Sequence, residues 1–502
     1  MMKYGWAERD ITPDKKVSLA GQFAERISKY VEKPLTATAF VADSGEDQMI
    51  LVSVDLVAVS WNMVQEVRKR IALRNVEIDP MKIVISAIHT HTGPELPGEG
   101  RLGNRIAGVS SGGYRRALEE FLKDKKYVEK ENISDNPEIA TKEEAYELVV
   151  SQIVDAILSA WEARTEGGFV NAFGRAAVGM CRRAVYSDGS AQMWGDTNQA
   201  VFKELEGGND SGIELLYLFD NTDKLTGIVA NIACPAQCVQ HRLFVSPDFW
   251  GEVKMLLRQR FGEEIYLLAL CSAAGDQCPV DIVRWVEPES DVNDPNITRK
   301  TPLKRNADPS MFDLAGMRKV GKRIAHEIID LYEDGLPEKQ TDICFEHIAS
   351  DYKLPLRRAT LAQELAARKA IREYLDDVEG DVDYNDVAHM QVNLGTLLRM
   401  KLQETVDVLD TEVHVIRMGT VAIATNPFEL FLDYGNQIRA RSLAEQTFLI
   451  QLANGSEGYL PTKKAENGGH YSAFISSGEI GHIGGDQLVR QTLDDIRKLF
   501  EK

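Results

Sequence analysis

Three stretches of this chain repeat one pattern, in which an apolar strand is followed by an amphipathic helix and then by a second apolar strand. They cover residues 49–88, 227–270 and 421–452. Such a unit joins two parallel strands through a right-handed crossover. The sequence therefore predicts an α/β fold, with a largely parallel or mixed sheet built from repeated βαβ units and with helical insertions.

Each unit ends in a polar loop that contains glycine. The loops are HTHTGP at 89–94, SAAGDQCP at 272–279 and NGSEGYLP at 454–461. The carboxyl ends of parallel strands meet at one edge of a sheet, and open α/β sheets bind their ligands at that edge. We therefore expect the three loops to converge on one site.

The first loop carries a His-x-His pair, His89 and His91, directly after the apolar run 83–88. If the strand continues through the pair, both imidazoles project from the same face, because side chains two apart in a strand share a face. Two such side chains favour a metal or acid–base site. The alternative is a pair of loop histidines that only bond to their neighbours.

In two of the units, the sequence also predicts where the helix begins. Ser246 and Pro247 suit the N-cap and first position of the second helix. Asn426-Pro427 is predicted to open the third helix, which places Glu429 in its first turn, where the helix dipole favours a carboxylate. Glu429 is then either a first-turn charge with no other role or a metal ligand.

Further reactive side chains lie in two segments. In the loop 272–279, the backbone amides around Asp276 can bind an oxyanion, and Cys278 is either a nucleophile or an inert buried thiol. Arg182 and Arg183 are either a surface pair or a source of positive charge for a developing oxyanion. The residues alone leave both choices open.

Cys234, Cys238 and His241 have the spacing of a partial zinc site. A complete structural site needs a fourth ligand at a recognisable spacing, and none can be assigned. A structural zinc site is therefore not predicted.

Composition narrows the classes of partner. The 502 residues are 44% hydrophobic and carry a formal net charge of −19, which argues against nucleic acid or an anionic membrane as the main partner. No signal-peptide core and no transmembrane stretch is visible, and the six cysteines are too sparse for a secreted disulfide framework. We expect a cytoplasmic protein with a small-molecule substrate; whether it forms a homo-oligomer is left open.

We predict that the chain forms one large catalytic domain, 1–502, with inserted segments. Residues 108–142 are charged and punctuated by glycine and serine, which indicates an insertion. Residues 284–308 are rich in proline, asparagine and charge, which is typical of a loop. Residues 361–408 have helical periodicity and are predicted to form a helical insertion or lid over a closed polar pocket.

Four segments together resemble the neutral/alkaline ceramidase family of zinc-dependent amidases. SAIHTHTGP at 86–94 is similar to the family's T-H-T-H-S-G-P segment. NPFELF at 426–431 and GYLPT at 458–462 are similar to the segments that carry a glutamate and a tyrosine ligand. The opening GWAERDITP at 5–13 matches as well. The resemblance is to a divergent, non-secreted subgroup of bacterial type.

The resemblance implies roles for particular residues. The implied zinc ligands are His89, Glu429 and Tyr459. The implied catalytic residues are His91 at the reaction centre, Arg182 facing the substrate, Tyr471 near the substrate carbonyl, and Asp276 and Cys278 in the family's G-D-V-S-P segment.

The chain departs from the family in two places. Pro235 stands where the family has a further zinc histidine, so Cys234 or His241 replaces it, or the metal has one ligand fewer, or no metal binds. Cys278 stands where the family has a serine. Since zinc would already supply an activated water, packing is the favoured role for this thiol over nucleophilic attack.

The sequence thus predicts a zinc-dependent hydrolase that acts on an amide or related carbonyl bond of a small soluble substrate. His91 would handle protons, and Arg182 and Tyr471 would stabilise the oxyanion. One alternative is a hydrolase of lactones or activated ketones in polyol or sugar catabolism. An alternative of another class is an inactive small-molecule binding protein that has lost the metal.

Overall fold

A computed structural model describes residues 2–22, 25–102, 112–128, 136–283 and 313–501. The predicted loop 284–308 and parts of the predicted insertion 108–142 lie outside the described residues.

The helices are α1 (Trp61–Arg74), α2 (Gly112–Glu119), α3 (Lys142–Glu162), α4 (Phe249–Phe261), α5 (Asp313–Glu333), α6 (Leu361–Asp377), α7 (Tyr384–Leu402), α8 (Leu432–Arg441), α9 (Lys463–Gly468) and α10 (His482–Phe500). The strands are β1 (Lys3–Asp10), β2 (Thr36–Asp43), β3 (Gln48–Val54), β4 (Ile83–Ala87), β5 (Thr165–Cys181), β6 (Arg183–Tyr186), β7 (Ala191–Met193), β8 (Phe202–Leu205), β9 (Asp210–Asp220), β10 (Leu225–Ile232), β11 (Tyr266–Cys271), β12 (Gln277–Cys278), β13 (Phe345–Pro355), β14 (Val408–Met418), β15 (Val421–Thr425), β16 (Glu429–Leu430), β17 (Gln446–Ile450) and β18 (Tyr459–Leu460).

Two sheets dominate the structure. The larger has the strand order β11-β10-β9-β5-β1-β2-β3-β4, and the smaller has the order β13-β14-β15-β17. The three predicted βαβ units supply the parallel pairs β3–β4, β10–β11 and β15–β17, whereas β1–β2, β5–β9 and β13–β14 are antiparallel. The predicted α/β class is confirmed, with mixed rather than largely parallel sheets.

The two sheets pack face to face. Along β2, Phe40 contributes to an apolar core with Phe448 and Ile450 of the smaller sheet, and its ring stacks on Trp6 at 4.4 Å. Ala39, its neighbour on β2, points the other way, into the core that α1 and α3 cover. Because both faces of the sheet are buried, its strands are continuous apolar runs.

Helices cover the outer faces of both sheets. On the larger sheet, α1 and α3 pack over β1–β4, while α4 and α5 pack over β9–β11. On the smaller sheet, α8 and α10 bury apolar side chains against β13–β15. The result is a four-layer arrangement of helices, sheet, sheet and helices. None of the described helices has the length and apolar character that a membrane crossing requires.

One junction ties the edge strand β4 to the loop that follows β17. The backbone of Asn454 donates to the Ile85 carbonyl at 2.9 Å, and its side-chain oxygen accepts from the Ile85 amide at 2.8 Å. The Asn454 amide group also donates to buried Glu412, which is paired with Arg68 at 2.7 Å. This junction brings the loops after β4 and β17 side by side.

Two predicted helix starts are wrong. The helix of the second βαβ unit, α4, begins at Phe249, because its N-cap is Asp248 and not Ser246. The Asp248 side chain accepts from the Phe249 amide at 2.6 Å. The helix of the third unit, α8, begins at Leu432, because residues 429–430 form the short strand β16, which pairs with β18. Glu429 therefore gains nothing from a helix dipole. Residues 361–402 form α6 and α7, and Val408 already begins β14.

We predict that Gly5→Ala destabilises the fold. A Cβ at Gly5 would lie 2.0 Å from the Ala160 carbonyl oxygen, so α3 must shift away from β1. The expected loss in the free energy of unfolding is about 1–3 kcal/mol, measured by urea denaturation. The control is Gly208→Ala, because a Cβ there meets nothing within 4 Å. An equal effect of both variants would contradict close packing at Gly5.

Candidate active site

The loops after β4, β11 and β17 converge between the two sheets, as their position after parallel strands predicts. The Gly275 amide donates to the Leu430 carbonyl at 2.8 Å, and the chain around Asn454 pairs with β4. A Cβ at Gly275 would lie 2.3 Å from the Glu429 carbonyl oxygen, so only glycine permits this approach. The site is therefore assembled from segments of both sheets.

The two histidines do not extend β4. The strand ends at Ala87, and His89 has φ +68°, in the left-handed region. The expectation that strand alternation aligns the imidazoles is therefore wrong. The tight turn brings them together instead: the ring centroids are 4.9 Å apart, and the two Nε2 atoms are 3.4 Å apart.

His89 and Glu429 form a close pair across the sheets. His89 Nε2 lies 3.3 Å from Glu429 Oε2, and the two side chains are 7% and 15% exposed. Burial alone would raise the pKa of Glu429, but His89 and the guanidinium of Arg182 lower it below its ordinary value. A carboxylate is thus kept ionised beside an imidazole in a largely dry site.

Tyr459 joins this pair through backbone pairing. It is the direct partner of Glu429 in the short parallel ladder of β16 and β18. Burial, followed by the charge of Glu429, raises the pKa of the Tyr459 phenol well above its ordinary value. The ring of Tyr471 packs edge-on against it, with centroids 5.5 Å apart.

Arg182 is buried and points into the same site. It donates to the Gly275 carbonyl at 2.9 Å, to Gln237 Oε1 at 3.1 Å and to the Tyr459 hydroxyl at 3.4 Å. Its Nε–H has no hydrogen-bond partner in the described part of the chain. A buried donor without a partner is available to a ligand oxygen. Arg183, in contrast, pairs with Glu206 inside the protein.

Gln237 is a site residue that the sequence reasoning missed. Its amide nitrogen lies 2.9 Å from His91 Nε2, and its oxygen accepts from Arg182. The signal in the sequence was its place two residues after Pro235, in a loop that follows a βαβ strand. A glutamine in a loop has no spacing pattern of its own, whereas cysteine and histidine near Pro235 do.

The two residues considered as substitutes for that histidine make other contacts. The Cys234 thiol donates to the Val178 carbonyl at 3.3 Å, and burial raises its pKa well above the ordinary value. His241 Nε2 lies 3.4 Å from Asp313 Oδ1. Neither contact involves His89 or Glu429.

The donor set around His89 fits a zinc ion. The Val57 carbonyl lies 2.7 Å from His89 Nδ1, so this nitrogen carries a proton and Nε2 is the atom that faces Glu429 and would bind a metal. Two acceptors 3.3 Å apart need a cation or a further proton between them. Ligands about 2.1 Å from a tetrahedral zinc lie about 3.4 Å from one another.

Few side chains of the usual metal-binding types lie near His89 and Glu429. Across the described ranges, no group of three or more His, Cys, Asp and Glu side chains is placed to hold a metal ion. Among the predicted ligands, the remaining candidate is the phenol of Tyr459, whose backbone pairs with that of Glu429. The assignment of all three residues as ligands stays a prediction.

Asp276 forms hydrogen bonds with two segments that carry site residues. Its Oδ1 accepts from the Leu432 amide at 2.9 Å, at the start of α8, and burial raises its pKa to about 6. Its backbone carbonyl accepts from the Arg182 amide at 3.0 Å. Asp276 therefore anchors both the segment after Glu429 and the segment that carries Arg182.

Cys278 packs in an apolar cluster with Trp194 and Ile282. Its thiol donates to the Val280 carbonyl at 3.2 Å, and burial raises its pKa to about 12. A nucleophilic cysteine needs a lowered pKa. These contacts favour the packing role, and the catalytic assignment stays a prediction.

This fold is similar to that of solved ceramidase structures. No family model and no curated protein matches the sequence. Two solved structures, neutral ceramidase from Pseudomonas aeruginosa and a ceramidase complexed with C2, match all of this chain and 74% and 75% of their own. Each has a TM-score of 0.66 and 14% sequence identity. The chain has a ceramidase-like fold. The predicted subgroup stays a prediction, because 14% identity shows the fold alone.

We predict that Asp276→Ala lowers the free energy of unfolding by about 1–2 kcal/mol, because α8 loses a hydrogen bond at its first amide. Urea denaturation measures the change. Asp433→Ala is the control, since it removes an exposed carboxylate from the same helical turn. If the two variants lose the same stability, the Asp276 contact does not anchor α8.

Proposed function

We propose that this chain is a zinc-dependent hydrolase that cleaves an amide or related carbonyl bond of a small soluble substrate. The observation that carries the proposal is the buried contact of His89 Nε2 with Glu429 Oε2 at 3.3 Å, beside Tyr459. The ceramidase-like fold supports it, because the two structural neighbours are named as ceramidases.

His89, Glu429 and Tyr459 would hold the zinc ion. When bound, zinc polarises a carbonyl and lowers the pKa of a water. The carbonyl of Val57 orients the His89 ring, and the ladder between β16 and β18 fixes Glu429 relative to Tyr459. Contacts within the fold thus orient these residues before any metal binds.

His91 is suited to accept a proton. Burial first, and then the charge of His89 and the cations Arg26 and Arg182, lower its pKa well below 6.5. The ring is therefore neutral near pH 7, and one of its nitrogens carries no proton. A neutral imidazole beside the reaction centre can take the proton that an attacking water loses.

Arg182 and Tyr471 are suited to stabilise negative charge on the substrate oxygen. The Nε–H of Arg182 has no partner within the described residues and is the donor that a substrate oxygen would meet. Burial raises the pKa of the Tyr471 phenol to about 12, so it stays protonated and can donate. Preorganised donors in a dry site stabilise an oxyanion more than water does.

The substrate is proposed to be small and polar. The site is lined by buried charged and hydrogen-bonding groups, and the same electrophilic assistance serves an amide or a lactone. A cavity of about 370 Å³ lies elsewhere, between Phe173, Glu214 and Arg439.

We predict that the purified protein binds close to one zinc per chain, measured by mass spectrometry of its metal content. His89→Gln and Glu429→Gln should each lower zinc occupancy at least tenfold. His326→Gln is the control, because this exposed histidine of α5 lies outside the site.

Hydrolysis is assayed with a panel of short N-acyl amides and lactones. Activity should disappear with a chelator and return with zinc. Stoichiometric zinc without any hydrolysis would refute the proposed reaction, and a metal-free protein that binds small molecules would point to the inactive binding protein.

We predict that Cys278→Ser retains at least a third of the wild-type kcat, because the thiol packs and the nucleophile is water. The measurement is steady-state kinetics with the best substrate of the panel, together with intact-mass analysis after rapid quenching. Cys344→Ser, at an exposed thiol, is the control. A trapped acyl adduct on Cys278, with a kcat several orders of magnitude lower in the variant, would assign the chemistry to sulfur.

A further inference from the structure

We infer that Arg183, paired with Glu206, is a positioning residue that holds the ring of Tyr471 at the reaction centre. The inference deepens the proposed function and rests on it, because Tyr471 is there a donor to the substrate oxygen. The sequence gave the substrate-facing role to the neighbouring Arg182 and left Arg183 without a role in the site.

The backbone around Tyr471 has an unusual conformation. Gly469, His470 and Ser472 have φ values of +72°, +69° and +68°. This left-handed region suits glycine but disfavours other residues, which stay in it only where surrounding contacts impose it. Two such residues flank Tyr471 directly. The direction of the Tyr471 side chain therefore depends on contacts that keep both neighbours in this conformation.

Arg183 supplies contacts of this kind. Its Nη1 donates to the Tyr471 carbonyl at 2.8 Å and to the Ser472 hydroxyl at 3.2 Å. Its Nη2 donates to the Gly469 carbonyl at 2.7 Å. One planar group is thus bonded to the backbone on both sides of His470. A change in the φ of either left-handed residue would separate acceptors that Arg183 holds together.

Glu206 occupies the remaining donors of Arg183. Nε and Nη2 donate to the two carboxylate oxygens of Glu206. A guanidinium has five N–H groups, and together these contacts give each of them an acceptor. The side chains of Arg183 and Glu206 are 0% and 4% exposed. Lysine has the same charge but only three donors on a flexible stem, so it cannot make the same set of bonds.

The strand beside Arg183 holds the same segment by a second contact. Met193 of β7 is the cross-strand partner of Arg183 in β6, and the Met193 amide donates to His470 Nδ1 at 3.1 Å. The ring of Tyr471 packs edge-on against Tyr459, with centroids 5.5 Å apart. The small sheet of β7, β6 and β8 therefore positions Tyr471 next to a predicted ligand.

The test is a double-mutant cycle between Arg183→Lys and Tyr471→Phe. In the wild-type background, Arg183→Lys should lower kcat by about 10- to 100-fold, because a misplaced donor no longer meets the developing oxyanion. KM should stay within about threefold, since the lost interaction belongs to the transition state. In the Tyr471→Phe background, the same replacement should change kcat by less than about twofold, because the two residues act as one unit.

A second measurement needs no hydrolysis. The tyrosines are replaced by 3-fluorotyrosine, and the ¹⁹F signal of Tyr471 is identified by its loss in Tyr471→Phe. The signal should be single in the wild type and shifted or split in Arg183→Lys, because the ring then has more than one orientation. Arg164→Lys is the matched control and should leave the signal unchanged: it makes the same replacement at an arginine that pairs with Asp43 at the end of β2.

Ser472→Ala is a second variant in case Arg183→Lys does not fold. It removes one acceptor of Arg183 and keeps the ion pair, so it should change kcat and the ¹⁹F signal in the same direction and by less. Equal losses of kcat in the two backgrounds, or an unchanged Tyr471 signal in both variants, would overturn the role of Arg183. If the wild type hydrolyses nothing, the proposed function fails, while the ¹⁹F signal still decides whether Arg183 holds Tyr471.

Discussion

The side chain and backbone of Asn454 form two hydrogen bonds with Ile85, and the arrangement of the site depends on them. They join the edge of the larger sheet to a loop of the smaller sheet at the level where both sheets present their loops. Further backbone bonds link the loops of the two sheets: the amides of Gly275 and Gln451 donate to the carbonyls of Leu430 and Cys271 at 2.8 and 3.0 Å. Apolar packing is not directional, whereas paired amides fix register.

The same region contains a buried charge network that explains why the join is made of polar groups. Glu412 accepts from Arg68 at 2.7 Å, from Arg101 at 3.1 Å and from Asn454 at 2.8 Å. A buried carboxylate is costly unless such donors surround it. Residues from α1, β14 and two loops must therefore meet in one arrangement, and alternative packings of the two sheets would leave Glu412 without its partners.

The sequence predicted the βαβ units because apolar periodicity reports burial directly, and the three parallel pairs follow from it. It did not predict the antiparallel pairing of β1, β5 and β9, since long-range pairing leaves no local pattern. The turn at His89 was missed for a related reason: a left-handed conformation at a residue other than glycine is imposed by contacts and not by local preference. Gln237 was missed because a buried amide has no spacing signature.

The ladder of β16 and β18 contains only two residue pairs, Glu429 with Tyr459 and Leu430 with Leu460. A change elsewhere that shifts this ladder moves the carboxylate and the phenol as one rigid unit, and their mutual spacing survives. The distance from that unit to His89 depends instead on the contacts of Asn454 and Glu412 that hold the two sheets in register. Substitutions at those two residues, neither of which belongs to the predicted ligand set, would therefore alter the geometry of the centre from outside it.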